Sequence, residues 1–174
     1  MIKKVRVILS LFILLFSTQS IAEDKILFID IEYVYINSVA GKKVSEFIVK
    51  ERKKIDKDFS NYKKEIDEEK TKLMNQKNIL SKEEFQKNTL SLQNKVNDLN
   101  KELTKKNNEL IKYQNSAKIE FSQKLRSIVA SYAKENSISM IIKKNNILIG
   151  KNELDATKDI LVLVDKEIKS LKKN

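Results

Sequence analysis

The chain has no cysteine, proline, histidine or tryptophan, and only two glycines among its 174 residues. Without cysteine there is no disulfide framework, no thiolate zinc site and no thiol nucleophile. Without histidine the usual general base at neutral pH is missing. No nucleophile and base pair, phosphate-binding loop or metal-ligand set stands in for it, so the sequence reads as a non-enzyme with no catalytic, metal or cofactor-binding residues. The lack of proline and near lack of glycine leave little to interrupt helices, and 34% charged against 41% hydrophobic residues leaves material for only one modest core.

The residues that are present open with an export pattern. Lys3, Lys4 and Arg6 precede an apolar run from Val7 to Phe16, and a small-polar stretch ends in Ser20-Ile21-Ala22. This ten-residue run, apolar except for Ser10, falls short of the roughly 20 that a spanning helix needs, so residues 1–22 read as a signal peptide cleaved after Ala22. What remains, 23–174, reads as a single domain.

From Lys42 to about Tyr132 the apolar residues fall on a 3.5-residue period. Ile48, Ile55, Phe59, Tyr62, Ile66, Leu73 and Leu80 mark one arm. Phe85, Leu92, Val96, Leu99, Leu103, Leu110, Tyr113 and Ala117 mark a second, with Thr89 and Lys106 at two seam positions. A helix with one narrow apolar stripe must bury it against another, and the nearest is the other arm. An antiparallel coiled-coil hairpin over 42–136 follows, its turn near Asn78 to Ser81. There Ser81-Lys82-Glu83-Glu84 has the form of a capping box that starts the second helix. At 1.5 Å per residue the arm would project roughly 55 to 60 Å. Glu69 and Gln76 replace apolar seam residues near its end, which predicts a looser pair there. Phe59, Tyr62, Phe85 and Tyr113 read as seam packing, and Asp67, Glu68 and Glu69 as surface, because consecutive helical positions point in different directions.

The arm also holds the charge excess. Residues 42–136 carry 23 basic and 15 acidic groups, a net +8, whereas the excesses on either side of it are small and opposite after the signal is removed. Lys70, Lys72, Lys77, Lys82 and Lys87 surround the tip. They are candidates for first contact with a protein partner or an anionic lipid surface, set against the plainer reading of a solvated helix face.

The remaining segments, 23–41 and 137–174, make a small body. Lys25 to Ile31 reads as a buried strand, Glu32 to Val39 as one or two helical turns, and Ala40-Gly41 as a corner leading into the arm. Ser137 to Ile142 reads as a second strand, Lys143 to Asn146 as a turn and Ile147 to Gly150 as a third strand. Thr157 to Leu171 is the closing helix, capped by Asp155 or Thr157, with Ile160, Leu161, Val164, Ile168 and Leu171 inward. The fold class is α+β, mostly α: a three-stranded body carrying a long helical hairpin. So small a body is marginal alone, and Ile26, Phe28, Ile29, Ile138, Met140, Ile142 and Leu148 are the candidates for joining bodies into an oligomer.

This order of elements, with the segments Lys25 to Ile31 and Ile138 to Ile149 and the run Asp155-Ala156-Thr157 followed by Ile160, resembles the Skp/OmpH family of periplasmic chaperones. Ala156 stands where an aliphatic residue is common in that family. The resemblance implies a homotrimer whose arms enclose a cavity, and a periplasmic, ATP-independent holdase that keeps unfolded outer-membrane proteins from aggregating before insertion. It carries over no catalytic residue, and the arm lysines form no pattern specific enough to name a lipopolysaccharide site, although an anionic membrane or lipopolysaccharide surface remains a candidate partner. The competing reading is an exported envelope coiled-coil adaptor that clamps one folded partner. Specific nucleic-acid binding is disfavoured by the export pattern and by having only Arg52 and Arg126 after the signal.

Overall fold

The computed structural model describes residues 24–172; the segment 1–22 expected to be a signal peptide lies outside them. Strand β1 (Ile26–Ile29) leads into helix α1 (Ile31–Asn37), then α2 (Val39–Asn75), α3 (Lys82–Glu135), strand β2 (Met140–Lys143) and helix α4 (Thr157–Glu167). Short 3-10 turns occupy Lys144–Asn146 and Asn152–Leu154. The molecule is therefore mostly helical, with one small sheet.

The sheet has two parallel strands, with Ile26 opposite Met140 and Ile29 opposite Lys143. Parallel strands need a crossover connection. Here that connection is the entire α1, α2 and α3 excursion, so the arm is an insertion between the two strands that close the body. On the other edge of β1, the Phe28 carbonyl accepts a hydrogen bond from the Ala156 N–H at 2.9 Å, which fixes the approach to α4.

The first three helices each start on a side-chain cap. Asp30 accepts from the Tyr33 N–H at 2.9 Å to begin α1. Ser38, fully buried, donates to the Tyr35 carbonyl and accepts from the Gly41 N–H, making the corner between α1 and α2. The corner thus falls at Ser38, two residues before the expected Ala40-Gly41. Gly41 lies inside α2 without a positive φ. It is required by close packing on Tyr35, not by backbone freedom. Ser81 and Glu84 form the expected capping box at the start of α3, Ser81 Oγ accepting from the Glu84 N–H at 3.2 Å and Glu84 Oε2 accepting from the Ser81 N–H at 3.2 Å. Neither cap considered for α4 holds: Ala156 occupies the N-cap position without a side-chain cap bond, and Asp155, one residue earlier, accepts from the Thr157 N–H at 3.0 Å.

α3 ends in a Schellman turn. The Ile138 N–H reaches the Ala133 carbonyl at 2.9 Å, and the Ser137 N–H reaches Lys134 at 3.4 Å. Ser137 carries φ of 52°, a left-handed conformation that favours glycine.

Two further expectations change. The run Ile147 to Gly150 is not a strand; Leu148 is 97% and Ile149 89% exposed, because no strand in the described residues lies alongside to pair with it. The last helix stops at Glu167, not Leu171, but Ile168 and Leu171 stay buried on the segment that follows it. The core gathers Val34, Ala40, Val44, Ala117, Phe121, Leu125, Ile160 and Val164 from four helices. Tyr35 packs edge-on against Phe121, ring centroids 4.9 Å apart.

Candidate functional site

α2 has 37 residues and α3 has 54, so α2 extends about 55 Å and α3 about 80 Å, the difference being the part of α3 that re-enters the body. The seam is as the periodicity requires. Ile55, Leu110 and Ala117 are buried, and Ile48, Phe59, Ile66, Leu73, Phe85, Leu92, Val96, Leu99 and Leu103 are half-buried. Tyr62, 48% exposed, and Thr89, also exposed, are its weakest members. Near the body, Phe47 meets Tyr113 edge to face at 5.0 Å.

The polar seam positions find partners. Glu69 of α2 accepts both oxygens' hydrogen bonds from Lys95 of α3, at 2.6 and 2.7 Å. Lys106 binds Glu102 at 3.1 Å. Its pKa is raised, first by that hydrogen bond and then by Glu102's charge, with Asp58 and Tyr62 of the facing arm adding to it. Both pairs are about half exposed and add little stability; Glu69–Lys95 alone of the two crosses between the arms and so bears on their register. Asp67 and Glu68 stay on the outer face of α2 beside Lys63, Lys64 and Thr71. Among the described residues no three acidic side chains converge as a metal site would require, and no helix is long and apolar enough to cross a membrane.

At the tip, Lys70, Lys72, Lys77, Lys82 and Lys87 are all exposed, and none forms an ion pair among the described residues. They lie on the last turns of α2, the connecting turn and the first turns of α3. Sequence reasoning passed over Met74, 55% exposed, and Ile79, 81% exposed, which place apolar surface among these charges. The signal was available: both fall off the heptad seam, as do the exposed Leu90, Ile111 and Ile119 farther along α3.

With this geometry in view, residues 25–163 match the family model described as outer membrane protein (OmpH-like). The chain belongs to the OmpH-like family. A crystal structure from Caulobacter crescentus CB15, of a protein proposed to be an OmpH-like outer membrane chaperone, superposes with a TM-score of 0.80 at 16% identity, covering 90% of this chain and 92% of that one. At that identity the likeness establishes the fold. None of the curated proteins compared matches the sequence.

The OmpH-like body divides the seven assembly candidates in two. Phe28, Ile29 and Ile138 are buried within the chain itself and serve its own core. Ile26 at 42%, Met140 at 53% and Leu148 at 97% exposure remain outward, with Ile142 half-buried between. Ile26 and Met140 are register partners, so the exposed pair sits at one end of the sheet.

At the root of the arm an open groove of about 1020 Å³ runs between α1, the first turns of α2 and α3, with Ile36, Val49, Lys118 and Lys144 on its walls. Lys144 also binds Asp155 at 3.1 Å and sits 5.9 Å above the Phe28 ring.

Proposed function

We propose that this OmpH-like protein is a periplasmic holdase: after export it assembles through its body as a homotrimer and holds unfolded outer-membrane proteins between its arms, without ATP, until they insert. The observation that carries this reading is the division of labour in the chain. A body with a two-stranded sheet and nearly fully exposed Leu148 and Ile149 supports an arm far longer than any packing need. Exposed apolar side chains such as Leu90, Ile111 and Ile119 are scattered along that arm among charged residues. Such weak, distributed contacts suit a client that must be kept soluble without being packed, and the arm's positive charge draws acidic clients at long range. Family membership and the Caulobacter neighbour support the same reading.

Light scattering on residues 23–174, alone and after dilution of a urea-denatured outer-membrane barrel into it, tests the proposal. A trimer that keeps the barrel soluble in a defined complex is expected. A monomer that leaves the barrel to aggregate would overturn it and turn the search to the adaptor reading, with a single folded partner.

A further inference from the structure

The segment after α4 does more than end the chain. Ile168 and Leu171 are 2% and 8% exposed, packed in the same cluster as Ala40, Val44, Ala117 and Phe121 at the roots of both arms. Polar ties flank that packing. At the end of α4, Asp165 Oδ1 accepts from the Val39 N–H, the first of α2, at 2.7 Å. One residue past Ile168, the Lys169 carbonyl accepts from Lys43 Nζ at 2.9 Å. At Lys172 the backbone N–H donates to Glu120 Oε2 of α3, also at 2.9 Å. A single short segment thus touches α2 at its first turns and α3 where that helix re-enters the body.

The other flank of the roots is open. The groove described above is walled on α3 by Lys118 and Ser122, two residues either side of Glu120 and so on the far side of that helix. Packing on this flank is confined to the groove's floor, where Tyr35 meets Phe121 edge-on, and the space above that floor is open. From this asymmetry we infer that residues 168–172 are a strap that sets the angle at which the helical hairpin leaves the body, and that loosening the strap lets the hairpin tilt toward the groove. The capture volume between arms is then governed from the body and not from the tips. This last consequence rests on the holdase reading; the angle itself does not.

The chain lacks cysteine, so Asn78→Cys at the tip and Lys158→Cys on α4 give two unique spin-label sites. Pulsed dipolar distances between them, recorded within one labelled chain diluted in unlabelled protein, report the angle. Two variants loosen the strap differently. Leu171→Ala with Glu120→Ala removes packing and acceptor. Lys172→Pro removes the N–H donor and truncates no buried side chain, while also fixing φ at 172 and restricting the backbone of Leu171. Each is expected to broaden the tip-to-body distance distribution about twofold, whereas Lys172→Ala, which keeps the N–H, leaves it narrow. A distribution as narrow in Lys172→Pro as in the unmodified protein, with circular dichroism unchanged, would overturn the strap. A failure of barrel capture with a normal distance response would count against the holdase reading alone.

Discussion

The carbonyl oxygen of Tyr35 lies 1.7 Å from the point that a Cβ would occupy on Gly41. No rearrangement of a flexible side chain relieves that overlap, because the obstacle is the backbone of α1. Gly41→Ala must push α1 away from α2 at the point where both pack on the core, at a cost of about 3 kcal/mol. Urea unfolding of the variant checks this, and a midpoint equal to the parent's would show that the two helices are not held at this spacing.

Ser137 offers the opposite case. Its left-handed φ of 52° is imposed by the Schellman turn at the end of α3. Ser137→Gly relieves the strain and should raise stability by about 0.5 to 1 kcal/mol, seen as a higher urea midpoint at unchanged slope. A lower midpoint would mean that the entropy lost by glycine outweighs the strain.

Two carboxylates link stability to acid. Glu120 titrates below its ordinary value of 4.5, chiefly because Lys124 hydrogen-bonds to it and the Lys172 N–H adds a second bond. Burial pushes Asp155 upward, but hydrogen bonds from the Thr157 side chain and N–H and from Lys144 outweigh it, leaving it below 3.8. Acids with lowered folded pKa values contribute fully above their ordinary values, and the contribution fades as pH falls through the folded values. Stability should therefore be flat near neutrality with respect to these two groups and decline below about pH 4.5. Glu120→Gln with Asp155→Asn should flatten that decline; an identical acid profile would assign it to other carboxylates.

How much of this was legible in the sequence depended on distance along the chain. The hairpin was legible because a 3.5-residue period and the Ser81 to Glu84 cap are local patterns, each written within a few turns. The body was less so. Ile147-Leu148-Ile149 has strand composition, but a strand also needs a neighbouring edge, which composition cannot supply. Gly41 was read for its conformational freedom, although its role comes from the Tyr35 carbonyl on another helix. Of the assembly candidates, hydrophobicity alone could not separate Phe28 and Ile29, which are buried, from Ile26 and Met140, which are exposed. The tip lysines lie exposed around the turn, and the exposed Ile79 beside them falls off the seam and so outside the periodic pattern.

Those lysines carry a prediction of their own. Changing Lys70, Lys72, Lys77, Lys82 and Lys87 together to Glu should weaken capture of a denatured barrel roughly tenfold at low ionic strength, with most of the difference gone in about 0.5 M salt. Fluorescence anisotropy of a labelled barrel measures it. Equal affinity at low salt would reduce the cluster to a solvated helix end.

The parallel pairing of Ile26 with Met140 sets an order of events. Synthesis makes β1 first and its partner 114 residues later, and until then β1 has no strand to join. The hairpin needs no such delay, because α2 and α3 are adjacent in sequence and can zip from the Ser81 turn downward. As they zip, they draw the two ends of a very long loop together and shrink the closure entropy that the sheet must overcome. The arm therefore also acts as a folding clamp: it matures first, delivers the two strands to one another, and leaves the sheet with its exposed Ile26 and Met140 to appear last.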